Sequence, residues 1–287
     1  MVEATLPGKD KRHLTISWGL LVGLLLLRLP YLGGIAFFAK PAWLDPSFQV
    51  GTYLLTAGLI WWERERLADF HVDGLALGII LLAKPIQTFF YPGWRSDISP
   101  LALPNLPNLA FWIISLGLFL ALRLSHTSLP GVTKSSWGWF GLGLLVGLGT
   151  ILLTAYPASF QIEKSELVGR PVSWGILIGA PREFIFQLGY AAVTEEPLFR
   201  AFLWVHLQKT GWKPIWIWLF QAGLFMLGHI YYLTSHPFSF WVDVPLAALV
   251  LGGLAWRSRT ISSSLSAHAA MNTFGYPLER FFASLRL

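Results

Sequence analysis

Nine apolar segments constrain this chain before any motif is considered. They run over about 14–35, 48–62, 72–90, 107–124, 137–157, 172–208, 214–233, 239–256 and 260–277. About 20 apolar residues in helix cross the hydrocarbon core of a bilayer. Helix is one of only two backbone arrangements that satisfy their own N–H and C=O groups there. The 287 residues are 54% hydrophobic and only 13% charged, roughly half the charged share of a soluble domain. The pattern predicts an all-α polytopic integral membrane bundle of about eight transmembrane helices. The segment over 172–208 is too long for one upright span. Gly179-Ala180-Pro181 is expected to break it, leaving a helix from about Pro181 to Gln208. The second segment is short, and Asp73 and Lys84-Pro85 mark the third as kinked or re-entrant.

The absence of cysteine excludes disulfides, thiolate nucleophiles, Cys-based zinc sites and prenylation of the chain itself. Fifteen tryptophans suit interfacial belts. The net charge of +6 reads as basic loops facing anionic lipid, with no basic, aromatic-interleaved patch for nucleic acid. Lys9, Lys11 and Arg12 ahead of the run Leu14–Leu27 resemble the start of a signal peptide. Because the remainder of the chain is also membrane-embedded, the run reads as an uncleaved first span. With nine crossings, Lys9, Lys11, Arg12, Arg64, Arg66, Arg123, Lys134, Lys209, Lys213, Arg257 and Arg259 fall on one side. Arg28, Lys40, Arg95, Lys164, Arg170, Arg280 and Arg286 fall on the other. Eleven against seven puts the N-terminus in the cytoplasm and the chain in the cell membrane. Gly19-x3-Gly23, Gly74-x3-Gly78 and Gly143-x3-Gly147 are small-residue spacings of close helix packing. The loop Ala158–Pro171 reads as a solvated connector.

Against this apolar background, Glu195-Glu196-Pro197-Leu198-Phe199-Arg200 is costly. An ionised group at the centre of a membrane helix costs about 2.5–3.5 kcal/mol on insertion scales. Glu196 and Arg200 are four apart, share a helix face and can pair. Glu195, about 100° away on the helix, is left without that partner. Pro197 cannot donate to the carbonyl of Val193, so the helix should kink and expose it. Two further spacings lie in later apolar runs: Phe225-x3-His229, deep in the 214–233 span, and His268-x3-Asn272. An imidazole and a carboxamide four apart present two donors to one point, an arrangement that suits a developing oxyanion. Singly these are ordinary helix-packing features. Together, one unpaired Glu, two His and an Asn on three membrane helices make a hydrolase's set of base, acid and oxyanion donors.

In that order and on successive apolar segments, the three motifs resemble those of the CAAX-processing and bacteriocin-processing intramembrane endopeptidases. That family includes the type II CAAX prenyl endopeptidases. The resemblance covers roughly 135–280; Ala201 stands where many members have Gly after the arginine. It implies a single membrane domain over 1–287, with a catalytic helical core over 135–280 and additional N-terminal helices over 1–130. It implies Glu195 as the carboxylate that activates water, His229 as its partner, and His268 and Asn272 as oxyanion stabilisers. Glu196 and Arg200 become supports. The implied substrate is a membrane-associated protein or peptide, cut near its C-terminus, with lipidated and prenylated chains included. The cavity is expected to open to the cytoplasm.

No cofactor is required by this reading. The metal alternative is a zinc site from one Glu and two His with an open fourth position. Against it, His-Glu-x2-His is absent and Asn is a poor zinc ligand. The rival functions are a transporter, for which neither repeated halves nor paired broken helices are present, and a non-catalytic scaffold or bacteriocin-immunity protein using the same polar network. Among other polar residues, Arg182-Glu183 is expected to face a cavity or pair with a neighbouring helix, and Asp243 to bind a partner group. Lys84 is expected to snorkel, and His206, His13, His71, His126 and His236 to lie in loops or at the interface. The first 130 residues carry no chemical motif.

Overall fold

The structure, a computed structural model, describes residues 8–36, 41, 43–90, 106–163 and 175–286. They form helices α1 (Gly8–Ala36), α2 (Leu44–Trp62), α3 (Gly74–Phe90), α4 (Leu106–Leu124), α5 (Lys134–Ala158), α6 (Gly175–Thr194), α7 (Trp204–Lys209), α8 (Pro214–Leu227), α9 (Tyr232–Ser235), α10 (Val244–Ser258) and α11 (Ile261–Ser284). Pro197–Leu203, between α6 and α7, and Ser239–Asp243, before α10, are π-helical. No strand occurs among the described residues. Four stretches are long and apolar enough to cross a membrane: Arg12–Leu29, Pro107–Leu124, Lys134–Gln161 and Ser239–Ser258. Gly74–Thr88 and Pro214–Leu227 are apolar but shorter.

The expected break at Gly179-Ala180-Pro181 does not occur. α6 begins at Gly175 and runs through Pro181. Pro181 is the seventh residue of the helix, past the first turn, so it withholds the donor that the Leu177 carbonyl would otherwise have, yet the helix continues through it. The interruption comes at Pro197 instead. The connector expected over 158–171 lies outside the described residues from 164 onward.

α5 and α11 form the tightest pair, for a reason visible in both sequences. Gly143 and Gly147 face the backbone of Ser263 and Ala267, and a Cβ on Gly147 would lie 2.5 Å from the Ala267 carbonyl oxygen. α11 answers with small buried residues, among them Ser262, Ser263, Ser264, Ala267 and Ala270. Ser266 Oγ donates to the Phe140 carbonyl across the contact at 2.6 Å. The spacing Gly19-x3-Gly23 makes no comparable approach, and Gly78 faces open space. Thr260 caps α11 by accepting from the Ser262 N–H at 3.1 Å, so the serine run is a helix start.

One end of the bundle is held by a polar cluster. Glu63, at the end of α2, accepts from Ser17 of α1 and from Arg66 Nη2 at 2.7 Å. His206 Nε2 of α7 stands 3.8 Å away. Lys209 lies 4.4 Å over the Phe70 ring, and Ile261 N donates to the His71 carbonyl at 2.8 Å. The start of α1, the end of α2, the start of α3, the end of α7 and the start of α11 therefore share one face. His206, expected at the interface, is buried here, and His71, expected in a loop or at the interface, lies in the connection before α3 and is buried too; His206 stacks on Phe70 at 5.0 Å. Burial, with Arg259 nearby, holds the His71 imidazole down to about 4.

Candidate active site

The site is built around the discontinuity at Pro197. Without a proline N–H, the Val193 carbonyl loses its helical donor, and the wider π-helical turn begins there. π-bulges of this kind recur at functional sites. Two side chains from the first helices bond carbonyls at this discontinuity. Thr56 Oγ1 of α2 donates to Val193 O at 3.3 Å, and Arg28 Nη2 of α1 donates to Thr194 O. The distortion turns Glu195 and Glu196 to different surroundings.

Glu196 and Arg200 are fully buried and lie 3.5 Å apart, the pair that their spacing predicts. Arg200 is also 4.4 Å from the Phe225 ring centre, a cation–π contact that helps hold a guanidinium in an apolar setting. Glu195 is not unpartnered, as spacing along one helix suggested. Arg28 Nη1 stands 3.8 Å from its Oε1, and His268 Nε2 stands 3.4 Å from its Oε2. The Arg28 guanidinium lies between the rings of Phe48 and Phe199, at 5.7 and 5.0 Å.

His268 bridges the two acids. Its Nδ1 lies 2.9 Å from Glu196 Oε1. A carboxylate accepts, so Nδ1 carries the proton and Nε2 faces Glu195. His229 lies just past the end of α8 rather than deep in the span. Its Nδ1 is 2.8 Å from the Phe225 carbonyl oxygen, which can only accept. In the neutral imidazole Nε2 is therefore the bare nitrogen. The ring packs against Phe225, tilted by 31° with centres 4.6 Å apart. His268 and Asn272 do not point together as expected. His268 is buried among the acids, whereas Asn272 is exposed and donates to Gln187 Oε1 at 3.1 Å. Gln187 in turn donates to Glu183 Oε1 at 2.6 Å.

All four residues nevertheless line one cavity of about 900 Å³, with Glu195, His229, His268 and Asn272 in its wall. That is within the range of sites for sizeable ligands. Residues from the first helices share it, notably Gln49 and Lys84. Lys84 does not snorkel; it is 1% exposed, donates to Gln49 Oε1 and lies 4.7 Å over the Phe111 ring. Among the described residues no three His, Asp or Glu side chains are grouped to hold a metal ion. Both imidazoles use Nδ1 on protein acceptors. Those bonds leave each Nε2 bare, an arrangement that a metal-ligating imidazole also has, and the chemistry follows from the side chains alone.

The cavity occupies one half of the bundle. On α11 it is reached at His268 to Glu279, about 10–27 Å along the helix from Ile261 at 1.5 Å per residue. On α2 it is reached at Asp45 to Gln49, about 20–26 Å from Trp62. Ile261 and Trp62 lie at the end sealed by Glu63 and His71. The cavity thus lies in the half of the bundle away from the start of α1.

Arg28 and Thr56 are residues that motif reading missed. The signal for Arg28 was in the sequence, as a lone arginine at the end of the apolar run of α1. Its partner 167 residues later was not. Comparison with known families matches residues 179–274 to the type II CAAX prenyl endopeptidase Rce1-like model. Neither the comparison with curated proteins nor that with solved structures found a match. The matched stretch contains Glu195, Glu196, Arg200, His229, His268 and Asn272 and excludes α1 to α5. Over residues 179–274, a third of its length, the chain is similar to the Rce1-like type II CAAX prenyl endopeptidases.

Proposed function

We propose that the chain is an intramembrane endopeptidase that hydrolyses a peptide bond of a membrane-associated protein or peptide, prenylated CAAX-type substrates included. One observation carries this reading. The Glu195 carboxylate stands between Arg28 and the bare-side nitrogen of His268 at the wall of a cavity that also holds His229 and Asn272. The family match supplies the reaction class.

In this reading water lies between Glu195 and His229. Glu195, with His229 Nε2 beside it, takes a proton as the oxygen attacks the scissile carbonyl carbon. The tetrahedral oxyanion is stabilised by the Asn272 carboxamide and by His268, which for that role carries a proton on Nε2 as well as on Nδ1. When the C–N bond breaks, the proton passes to the leaving amine. Glu196 holds His268 Nδ1–H, fixing the tautomer and aiming Nε2, and Arg200 balances the charge of Glu196. Residues 135–280 act as the catalytic core, with the N-terminal helices packed around it. About eight helices span the cell membrane in this arrangement.

The direct test is cleavage of a lipidated reporter peptide by purified protein, with Glu195→Ala as the control and a parallel arm in chelator. The expected result is turnover by the parent chain, unchanged by chelator, and none by the variant. Equal turnover by Glu195→Ala refutes the assignment.

A further inference from the structure

We propose that Lys84 is a specificity residue of the cavity. Its ammonium, held by Gln49, binds a carboxylate of the substrate a few residues from the scissile bond. That carboxylate is a chain terminus or an acidic side chain. The proposal rests on the hydrolase reading for the word substrate, but the binding it describes is measurable without hydrolysis.

A lysine inside an apolar helix is costly and marks a functional position by default. Lys84 lies on α3, is 1% exposed and stands in the cavity wall. Its segment is built like the one that carries Glu195. Pro85 withholds an N–H from the Leu81 carbonyl, and Ser115 Oγ of α4 donates to that carbonyl instead. An ammonium has three N–H donors. One goes to Gln49 Oε1, and the Phe111 ring flanks the charge at 4.7 Å. Asp45, one turn before Gln49 on α2, lines the same wall and its charge acts on Lys84.

The rest of the wall sets the direction. Among the described lining residues Lys84 is the one Lys or Arg. Asp243, before α10, and Glu279, on α11, put acidic groups on the opposite side of the cavity. They repel an anionic group, so it is directed toward α3. The distance to the chemistry is short. A Cβ on Gly189 of α6 would lie 2.8 Å from the Ala83 carbonyl oxygen, so α3 and α6 meet backbone to backbone one residue from Lys84. From Gly189 to Glu195 is about 9 Å along α6. An extended peptide covers that length in a few residues, at about 3.3 Å each.

Three lipidated reporter peptides of one length test this on the purified full chain. One has a free C-terminal carboxylate, one a C-terminal amide, and one a C-terminal amide on a final glutamate. The parent is expected to cleave one or both anionic peptides at least about tenfold better in kcat/KM than the neutral one, mainly through KM. Preference for the free acid identifies a chain terminus, and preference for the glutamate amide identifies a side chain. Lys84→Met and Lys84→Gln should each bring the ratio to about one, and Lys84→Arg should retain part of it. A Lys84 that only braces α2 against α3 would lower the unfolding temperature and leave the ratio untouched. No anionic preference in the parent, or one that survives both neutral variants, overturns the proposal. Fluorescence anisotropy of the same peptides on Glu195→Ala, with and without Lys84→Gln, reads the preference as binding. A parent chain that cleaves none of the peptides refutes the hydrolase reading, while the binding order still decides the role of Lys84.

Discussion

The helices that carry the motifs and the helices that precede them build the site in different currencies. α6, α8 and α11 supply the titratable groups: Glu195, Glu196, His229, His268 and the Asn272 amide. α1 and α2 supply no motif, yet Thr56 takes the carbonyl that Pro197 sets loose, and Arg28 takes the neighbouring Thr194 carbonyl and also faces Glu195. The motif helices bring reactive groups; the first helices satisfy the backbone that had to be distorted to present them. A broken helix inside a bilayer has no water to turn to, so its loose carbonyls must find protein donors. The family match stops at 179–274, short of those donors.

The comparison breaks most plainly at Glu195. Glu195→Ala is expected to reduce cleavage to background while leaving thermal unfolding in detergent close to that of the parent. An active variant would put the chemistry elsewhere. Next in size, Asn272→Ala should lower kcat by about 10²–10³, the effect of losing one oxyanion donor, about 2.7–4 kcal/mol. If only KM rises, Asn272 binds substrate and does not stabilise the transition state.

Arg28→Met tests whether the first helices merely brace the fold. It should lower kcat up to about 100-fold, the scale of a small misplacement of a reacting group, with KM little changed. Arg28→Lys should recover part of that loss by restoring the charge. A variant with full kcat but a lower unfolding temperature would make Arg28 purely structural.

His71, between the first helices and α3, should affect stability only. Its pKa is lowered from 6.5 to about 4 in the folded chain, so between those values the unfolded chain binds more protons. Stability is complete above pH 6.5 and falls as the pH drops toward 4, by up to about 3 kcal/mol from this group. The residue has φ of 60°, a conformation Asn tolerates, so His71→Asn should flatten that part of the unfolding profile without changing kcat. The smallest effect is expected for Thr56→Val. It leaves the Val193 carbonyl unsatisfied at about 1–3 kcal/mol, read as a lower unfolding temperature with kcat within tenfold of the parent.

The helical membrane class was legible because apolar run length answers directly to bilayer thickness. The Glu196–Arg200 pair was legible because both partners sit on one helix at a fixed spacing. Gly143 and Gly147 were readable as a packing face, but the same spacing at Gly19 and Gly23 was not distinguishable from it until α11 was seen to bring small residues only to the first. His229 was assigned to the right segment and the wrong position in it, since one turn at a helix end is beyond what hydrophobic periodicity resolves. Lys84 and His206 were misread as interfacial because a burial partner in another helix leaves no local trace.

By itself, then, the sequence determined that the chain is a helical membrane protein, that a carboxylate pair and two imidazoles lie in its apolar segments, and that its loop charges favour one orientation. Each of these depends on composition or on spacing within one helix. Only the tertiary structure decided that Glu195 has Arg28 and His268 as neighbours, that His268 joins both acids while Asn272 turns to Gln187, and that the cavity lies in the half of the bundle away from the start of α1. Those facts depend on which helix faces which. That is set by small-residue packing and by the need to satisfy buried polar groups across distances that no local spacing records.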